Sequence, residues 1–260
     1  MKVVILCGGK GTRLREETEY RPKPMVPIGG KPILWHIMKT YAEAGHKDFV
    51  LCLGYKGDMI KDFFRNYMWS LSDVTMTLGE KSDVIFHDRH EEEDWNVTLA
   101  DTGENSMTAF RIREIRKYLT EGEDFLLTYG DGVGNIDINS SIDFHKKNGT
   151  ICTMTGVHPP GRFGELGIGE NDRVLTFNEK PQAEGGYING GYMVCKEAMF
   201  DYLPDDPGMM LERAPMENLA KDGELSVFKH ETFWQPMDTF MEFQLLNQLW
   251  DTGKAPWKVW

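Results

Sequence analysis

Three groups of residues in this chain have the types and spacing for phosphate chemistry. The first is Cys7-Gly8-Gly9-Lys10-Gly11-Thr12-Arg13-Leu14, which follows directly on the apolar run Val3-Val4-Ile5-Leu6. Closely spaced glycines let a backbone turn sharply and approach a ligand without Cβ interference. Successive N–H groups in such a loop converge on an anion. Arg13 adds a planar cationic fork suited to phosphate. The second group is Arg21-Pro22-Lys23-Pro24-Met25, where two prolines restrict the backbone that carries Lys23. A phosphate cradle followed by a pre-set lysine points to chemistry on a nucleoside triphosphate. Two common alternatives fail on spacing. No window matches G-x-x-x-x-G-K-[ST], and Leu14 stands where a dinucleotide fingerprint needs its third glycine.

The third group is a pair of aspartates. Asp131 lies between Gly130 and Gly132 at the end of an apolar run, and Asp238 lies in Phe233-Trp234-Gln235-Pro236-Met237-Asp238-Thr239. Together they could hold Mg²⁺, which takes one or two carboxylates plus phosphate oxygens and water. Each also has a structural reading. Asp131 reads equally well as a turn residue, and Asp238 as the N-cap of a helix over 238–250. No Cys/His cluster competes for a softer metal.

These groups must be carried by elements, and the pattern of elements is clear. Buried strands are expected at 2–7, 48–53, 125–129, 150–157, 173–177, 187–195 and 224–229. Helices are expected at 32–44, 59–67, 109–119, 140–148, 211–221 and 238–250. In the first of these helices, Ile33, Ile37 and Tyr41 share a face, with Leu34 and Met38 beside them. Residues 68–100 are mixed, with strands at 73–78 and 84–87 that could lie outside the main sheet. Regular alternation predicts a three-layer α/β/α, Rossmann-like fold with a mixed, mostly parallel central sheet. Ligands in such sheets bind beyond the carboxyl ends of the strands. The glycine loop, Asp131 and Lys180 (after 173–177) sit at such ends. A lysine before Pro181 also reads as a solvated turn residue.

Length and composition suit one domain over 1–260. A nucleotide-binding half covers about 1–157, and a second half from 158 completes the sheet. Apolar residues at 40% and charged residues at 27% are ordinary for a globular chain. A net charge of −12 argues against nucleic-acid binding. Lys10, Arg13, Arg15, Arg21, Lys23 and Lys31 nonetheless make the start locally basic, which suits a small anionic substrate. Arg15 and Arg21 read better as ordinary solvated side chains. Cys7, Cys52, Cys152 and Cys195 form no C-x-x-C pair and read as buried thiols of a reducing compartment. The opening apolar run is too short for a signal peptide, and no stretch is long enough to span a bilayer, so a cytoplasmic protein is expected.

The segments 8–25, Tyr129-Gly130-Asp131-Gly132, Glu179-Lys180-Pro181 and Asn189-Gly190-Gly191 resemble, in order, the signature of the sugar nucleotidyltransferases. Longer strings at 28–39, 101–108, 158–164, 233–239 and 253–258 are most similar to the branch that joins CTP to glucose 1-phosphate. The resemblance covers essentially the whole chain. Cys7 departs from the alanine of many relatives, which should alter packing and not chemistry. The resemblance implies that the strand end Leu6-Cys7 with Gly8, Gly9, Gly11, Thr12 and Arg13 holds the base edge and triphosphate. It implies that Lys23 stabilises charge on the α-phosphate and that Asp131 and Asp238 bind Mg²⁺. Thr102, Gly103, Ser106, Arg111 and Gly130 would lie near the nucleotide, although Arg111 also reads as a surface residue of its helix. Glu179, Lys180, Asn189 and Gly190 would bind the sugar phosphate, in the half from 158 onward. A homo-oligomer, hexameric in some relatives, is implied as well. The same reaction with another nucleotide or hexose 1-phosphate (UTP or dTTP with glucose 1-phosphate, GTP with mannose 1-phosphate), an inactive regulatory relative of the family, or a Rossmann oxidoreductase remain as alternatives.

Overall fold

Alternate residues of the first strand, β1 (Val3–Leu6), face opposite sides of a central sheet. Val3 and Ile5 join one buried cluster, and Val4 and Leu6 join another. A strand that is apolar at every position must be covered on both faces, and here helices cover both. The computed structural model describes residues 1–260 apart from 80–81, 88–93, 160–164, 169–172 and 179–185.

The central sheet has seven strands. After β1 come β2 (Asp48–Leu53), β3 (Asn96–Asp101), β4 (Phe125–Tyr129), β5 (Cys152–Val157), β6 (Ile188–Cys195) and β7 (Leu225–His230). Their spatial order is β7-β5-β6-β4-β1-β2-β3. Strand β6 runs antiparallel to both neighbours, β4 and β5, and every other pairing is parallel. The expected mixed, mostly parallel sheet is therefore present, and β6 and β7 from the second half complete it.

One face is covered by α1 (Ile33–Glu43), α2 (Gly57–Arg65), α4 (Ile138–Asn148) and α6 (Phe240–Asp251). The other carries α3 (Thr108–Glu114), the 3₁₀ turn Glu197–Tyr202 and α5 (Ala214–Lys221). Helix α1 is more than amphipathic, because every residue from Ile33 to Tyr41 is buried. Its second side is covered by a C-terminal aromatic group. His36 packs edge-on against Trp35 and Trp250 with ring centroids 5.1 and 4.6 Å away, and Trp257 lies fully buried beside it.

Two sequence expectations need correction. Residues 96–101 form β3, which pairs with β2 and closes one edge of the main sheet. Their half-exposed pattern is that of an edge strand, and it hides the signal of a continuous apolar run. The strands Val74–Thr77 and Asp83–Phe86 do form a separate two-stranded ribbon, as expected. Conversely, Val174–Asn178 is not a central strand. Among the described residues it pairs with Glu165–Ile168, in a ribbon of its own. Lys180 therefore does not follow a strand of the main sheet.

Candidate active site

The carboxyl ends of β1 and β4 lie side by side, since Leu6 pairs with Tyr129 in parallel register. The chain leaves β1 into the glycine loop and leaves β4 at Gly130. A cleft of about 370 Å³ opens between them. Leu6, Cys7, Gly8, Gly9, Gly11, Thr12, Arg13 and Lys23 line it from the first segment, and Gly130 and Asp131 from the second. Gly11 has φ +61°, and a Cβ there would stand 2.7 Å from Cγ2 of Thr18. That position needs glycine on both counts.

Asp131 and Asp238 are brought together by a second small ribbon. Gly132–Gly134 pairs antiparallel with Trp234–Pro236, with Gly132 opposite Pro236. The Met237 N–H donates to the Asp131 carbonyl at 2.8 Å, which sets Asp238 beside the end of β4. Lys23 completes the group. It begins a 3₁₀ turn, Lys23–Met25, preceded by Pro22 at φ −67°. Its side chain is only 9% exposed, and Nζ donates to Oδ2 of Asp131 at 2.7 Å and to Oδ1 of Asp238 at 2.5 Å. Burial pulls the Lys23 ammonium toward neutrality, but the two carboxylates more than offset it and hold its pKa above the ordinary lysine value. Arg13 faces the other carboxylate oxygen, Oδ2 of Asp238, at 2.8 Å.

The structure rules out the helix-cap reading of Asp238. Helix α6 is capped by Thr239, whose hydroxyl accepts from the Glu242 N–H, while the Glu242 carboxylate reaches back to the Thr239 N–H at 2.8 Å. This is a reciprocal capping box. Asp238 precedes the cap, and its carboxylate is free to face Lys23 and Arg13. Two hard carboxylates from separate elements thus converge on one cation. That donor set suits a magnesium-like ion better than a soft one. Among the described residues, no group of three or more His, Cys, Asp or Glu is placed to hold a metal.

Arg111 is not a surface residue. It is 3% exposed and reaches the floor of the cleft. One terminal nitrogen donates to the carbonyls of Leu53 and Gly103 and to the Thr102 hydroxyl at 2.8–2.9 Å. The other donates to the carbonyls of Gly8 and Glu104 at 3.2 and 3.3 Å. The guanidinium therefore ties together the end of β2 and the segments that follow β1 and β3. Thr102 is spent in the same way, since its hydroxyl also donates to the Leu53 carbonyl at 2.7 Å. Ser106 lines the cleft, whereas Gly103 takes part through its carbonyl.

Asn189 and Gly190 lie on β6 beside the cleft wall. Asn189 donates to the Tyr129 hydroxyl at 3.4 Å, and Trp234 donates to the Gly190 carbonyl at 2.8 Å. Glu179 and Lys180 lie outside the described residues. The basic start of the chain divides as well. Arg13 and Lys23 line the cleft, Lys10 an adjoining depression, Arg21 faces Glu17 at 3.6 Å, and Lys31 lies over the Trp35 ring. The Cys7 thiol borders the cleft but is pushed well above its usual range, first by burial and then by Cys52 and Asp131. It stays protonated and is no nucleophile.

Met107, Thr108, Tyr129 and Met210 also line the cleft, and sequence reasoning had assigned none of them to the site. Tyr129 donates to Glu212, and Thr108 donates to the same carboxylate at 2.9 Å while accepting from the Leu211 N–H at 2.7 Å. Only the apolar or neutral character of these side chains marks them, and that carries no signal at this separation in sequence.

Comparisons with known proteins identify the family. The nucleotidyl transferase family model matches residues 2–235. The glucose-1-phosphate cytidylyltransferases of Salmonella typhi and Salmonella typhimurium are each 51% identical to the chain over 260 residues, covering all of both sequences. Among solved structures, HddC from Yersinia pseudotuberculosis superimposes with a TM-score of 0.67 at 23% identity, covering 96% of this chain and 99% of that one. That likeness carries the fold. With a matching family model over most of its length and full-length relatives at this identity, the chain belongs to the nucleotidyl transferase family.

Proposed function

We propose that the protein transfers the cytidylyl group of CTP to α-D-glucose 1-phosphate, giving CDP-glucose and pyrophosphate. The observation that carries this reading is the Lys23 ammonium held between Asp131 and Asp238 beside the glycine loop. The choice of base and sugar rests on the full-length likeness to the Salmonella enzymes. A phosphate oxygen of the sugar attacks the α-phosphorus in line. The bond between α-phosphorus and the bridging oxygen breaks, and pyrophosphate leaves with the electron pair. Both reactants are anions, so alignment and cationic charge dominate catalysis, and no protein nucleophile is needed.

Each residue has a task in this scheme. The backbone from Gly8 to Arg13 receives the triphosphate. A Cβ at Gly9 would meet no atom within 4 Å, so the room there is on the ligand side. Arg13 and Lys23 stabilise the charge that develops on the transferring phosphate. Removing one such group costs about 10²–10³ in kcat. Asp131 and Asp238 would hold Mg²⁺, which supplies further neutralisation of phosphate charge when bound. Arg111 keeps the nucleotide floor in shape. Ser106 lies near the nucleoside. Glu179, Lys180, Asn189 and Gly190 are assigned to the sugar phosphate, in the half beginning at 158. The contact of Asn189 with Tyr129 supports placing it beside the cleft.

The same proposal includes a cytoplasmic, homo-oligomeric protein, hexameric by the resemblance. Met76, Val84 and Ile85, exposed on the ribbon at 74–86, support an assembly surface. No helix among the described residues is long and apolar enough to cross a membrane.

The test is a nucleotide panel. Purified protein with glucose 1-phosphate and Mg²⁺ should release pyrophosphate with CTP far faster than with UTP, dTTP or GTP. EDTA should stop turnover and excess Mg²⁺ restore it. Turnover undiminished in EDTA would remove the two-aspartate metal site, and preference for another nucleotide would replace CTP.

A further inference from the structure

The two carboxylates assigned to the metal already hold a cation of the protein's own. Nζ of Lys23 lies 2.7 Å from Oδ2 of Asp131 and 2.5 Å from Oδ1 of Asp238, and Arg13 faces the remaining Asp238 oxygen at 2.8 Å. Lys23 is nearly buried and its backbone is set by Pro22 and Pro24. Two cations face two anions, so the cluster is neutral as it stands.

From this geometry we propose that Lys23 is an internal competitor of the metal ion, which keeps free divalent cations out of the Asp131–Asp238 site until a nucleoside triphosphate draws the ammonium away. The inference rests on the reading of those two aspartates as metal ligands and adds an order of events to it. A divalent ion arriving alone brings two positive charges to a neutral cluster, a few ångströms from an ammonium and a guanidinium. In a partly buried site that repulsion is weakly screened. A triphosphate arriving first, or together with the ion, brings the opposite charge. Its phosphates take over Lys23 and Arg13, and the carboxylates are released for the ion. The long flexible stem of lysine allows the ammonium to move while its backbone stays fixed. Arg13, 72% exposed, can turn toward the phosphates in the same way.

The consequence is positive coupling between metal and nucleotide. Coupling is reciprocal, so the ion must raise nucleotide affinity by the same factor that the nucleotide raises ion affinity. Phosphate oxygens ligate the ion themselves, so part of this coupling exists without Lys23. A purely structural Lys23 bridge would add nothing to it, whereas a competing Lys23 enlarges it by weakening ion binding in the nucleotide-free protein. The inference therefore predicts an effect on linkage that lost stability cannot imitate.

The experiment uses Mn²⁺ alone as probe, followed by water-proton relaxation enhancement, which separates protein-bound Mn²⁺ from Mn²⁺ held by free nucleotide. Wild-type protein without nucleotide should bind Mn²⁺ at least about tenfold more weakly than Lys23→Met, within the usual range of coupling. Saturating CTP should abolish most of that difference. Lys23→Arg, which keeps the charge, should behave like wild type. Equal Mn²⁺ affinity for wild type and Lys23→Met without nucleotide would overturn the inference. If Lys23→Met does not fold, Lys23→Gln, which also removes the charge, takes its place, and equal Mn²⁺ affinity for it and the wild type without nucleotide overturns the inference. Asp131→Asn and Asp238→Asn separate the two readings. Should both leave Mn²⁺ binding in the presence of CTP intact, the metal site itself fails. Should both abolish it while Lys23→Met changes nothing, only the competitor role fails.

Discussion

The α-carbon of Gly8 lies directly against the Arg111 guanidinium. A Cβ there would stand 2.2 Å from Cζ of Arg111, and one on Gly54 would stand 2.4 Å from a terminal nitrogen of the same side chain. The loop after β1 and the turn after β2 are glycine at these positions because a buried arginine occupies the space between them.

This packing predicts strong coupling. Gly8→Ala should destabilise the protein by about 1–3 kcal/mol through overpacking. Arg111→Ala should cost about 3 kcal/mol or more, because it leaves buried carbonyls without donors. In the double variant the cost of Gly8→Ala should largely vanish, since the clash partner is gone. Urea unfolding of the four proteins measures the cycle, and additive costs would contradict the clamp. Arg111→Lys should not rescue CTP affinity, because an ammonium cannot span three segments.

Helix capping and chemistry should separate at adjacent residues. Thr239→Ala removes the cap and should cost about 1 kcal/mol of stability with turnover nearly intact. Asp238→Asn should do the reverse, holding the melting temperature and lowering kcat/KM steeply. Asp131→Asn should behave like Asp238→Asn, and the pair should be far from additive because both act on one cation. Normal turnover of Asp238→Asn at limiting Mg²⁺ would exclude Asp238 from the site.

Acid should loosen the aromatic group on α1. His36 is fully buried, and burial lowers its pKa from 6.5 to about 4. Its Nε2 lies 2.9 Å from the Ile28 carbonyl and so carries the proton, and Trp257 donates to Nδ1 at 3.4 Å. The native state keeps this imidazole neutral while the unfolded chain binds a proton below pH 6.5. Stability therefore rises with pH between about 4 and 6.5 and falls on acidification through that window. The size is about 3 kcal/mol for this group. Burial lowers His46, His145 and His230 in the same direction. His36→Gln should be less stable at neutral pH and show a shallower dependence of Tm on pH. An unchanged slope would show that the imidazole does not titrate as inferred.

The cysteines should be silent in the folded protein. All four are buried and free, and burial pushes the Cys52 thiol up to about 12. Cys152 and Cys195 stand opposite each other on β5 and β6, with sulfurs 3.9 Å apart. A thiol reagent at neutral pH should react slowly with native protein and rapidly in denaturant. Cys52→Ser, Cys152→Ser and Cys195→Ser should each lower Tm and leave kcat unchanged. Fast native labelling would show that the core opens more readily than its packing implies.

Much of this molecule was written locally. Short apolar runs bounded by turn residues marked β1, β2 and β4, strands buried on both faces, so these were legible from their residues alone. The glycine loop and the Pro-Lys-Pro segment likewise encode their own backbone, because glycine and proline act on the φ of single residues. Other features depend on partners distant in the chain. Strand β3 was hidden because an edge strand is apolar on one side only. Val174–Asn178 read as a central strand, yet no local property states which sheet a strand joins. Arg111 looked solvated from its helix and was decided by carbonyls more than fifty residues away at Gly8 and Leu53. The roles of Asp238 and Thr239 were inseparable in sequence, because both are good caps. Tertiary structure gives the cap to Thr239, and the short ribbon between Gly132–Gly134 and Trp234–Pro236 sets Asp238 beside Asp131 and both on Lys23. Residue types therefore announced a phosphate site, whereas the convergence of its charges, a matter of distance across the chain, was decided by tertiary packing.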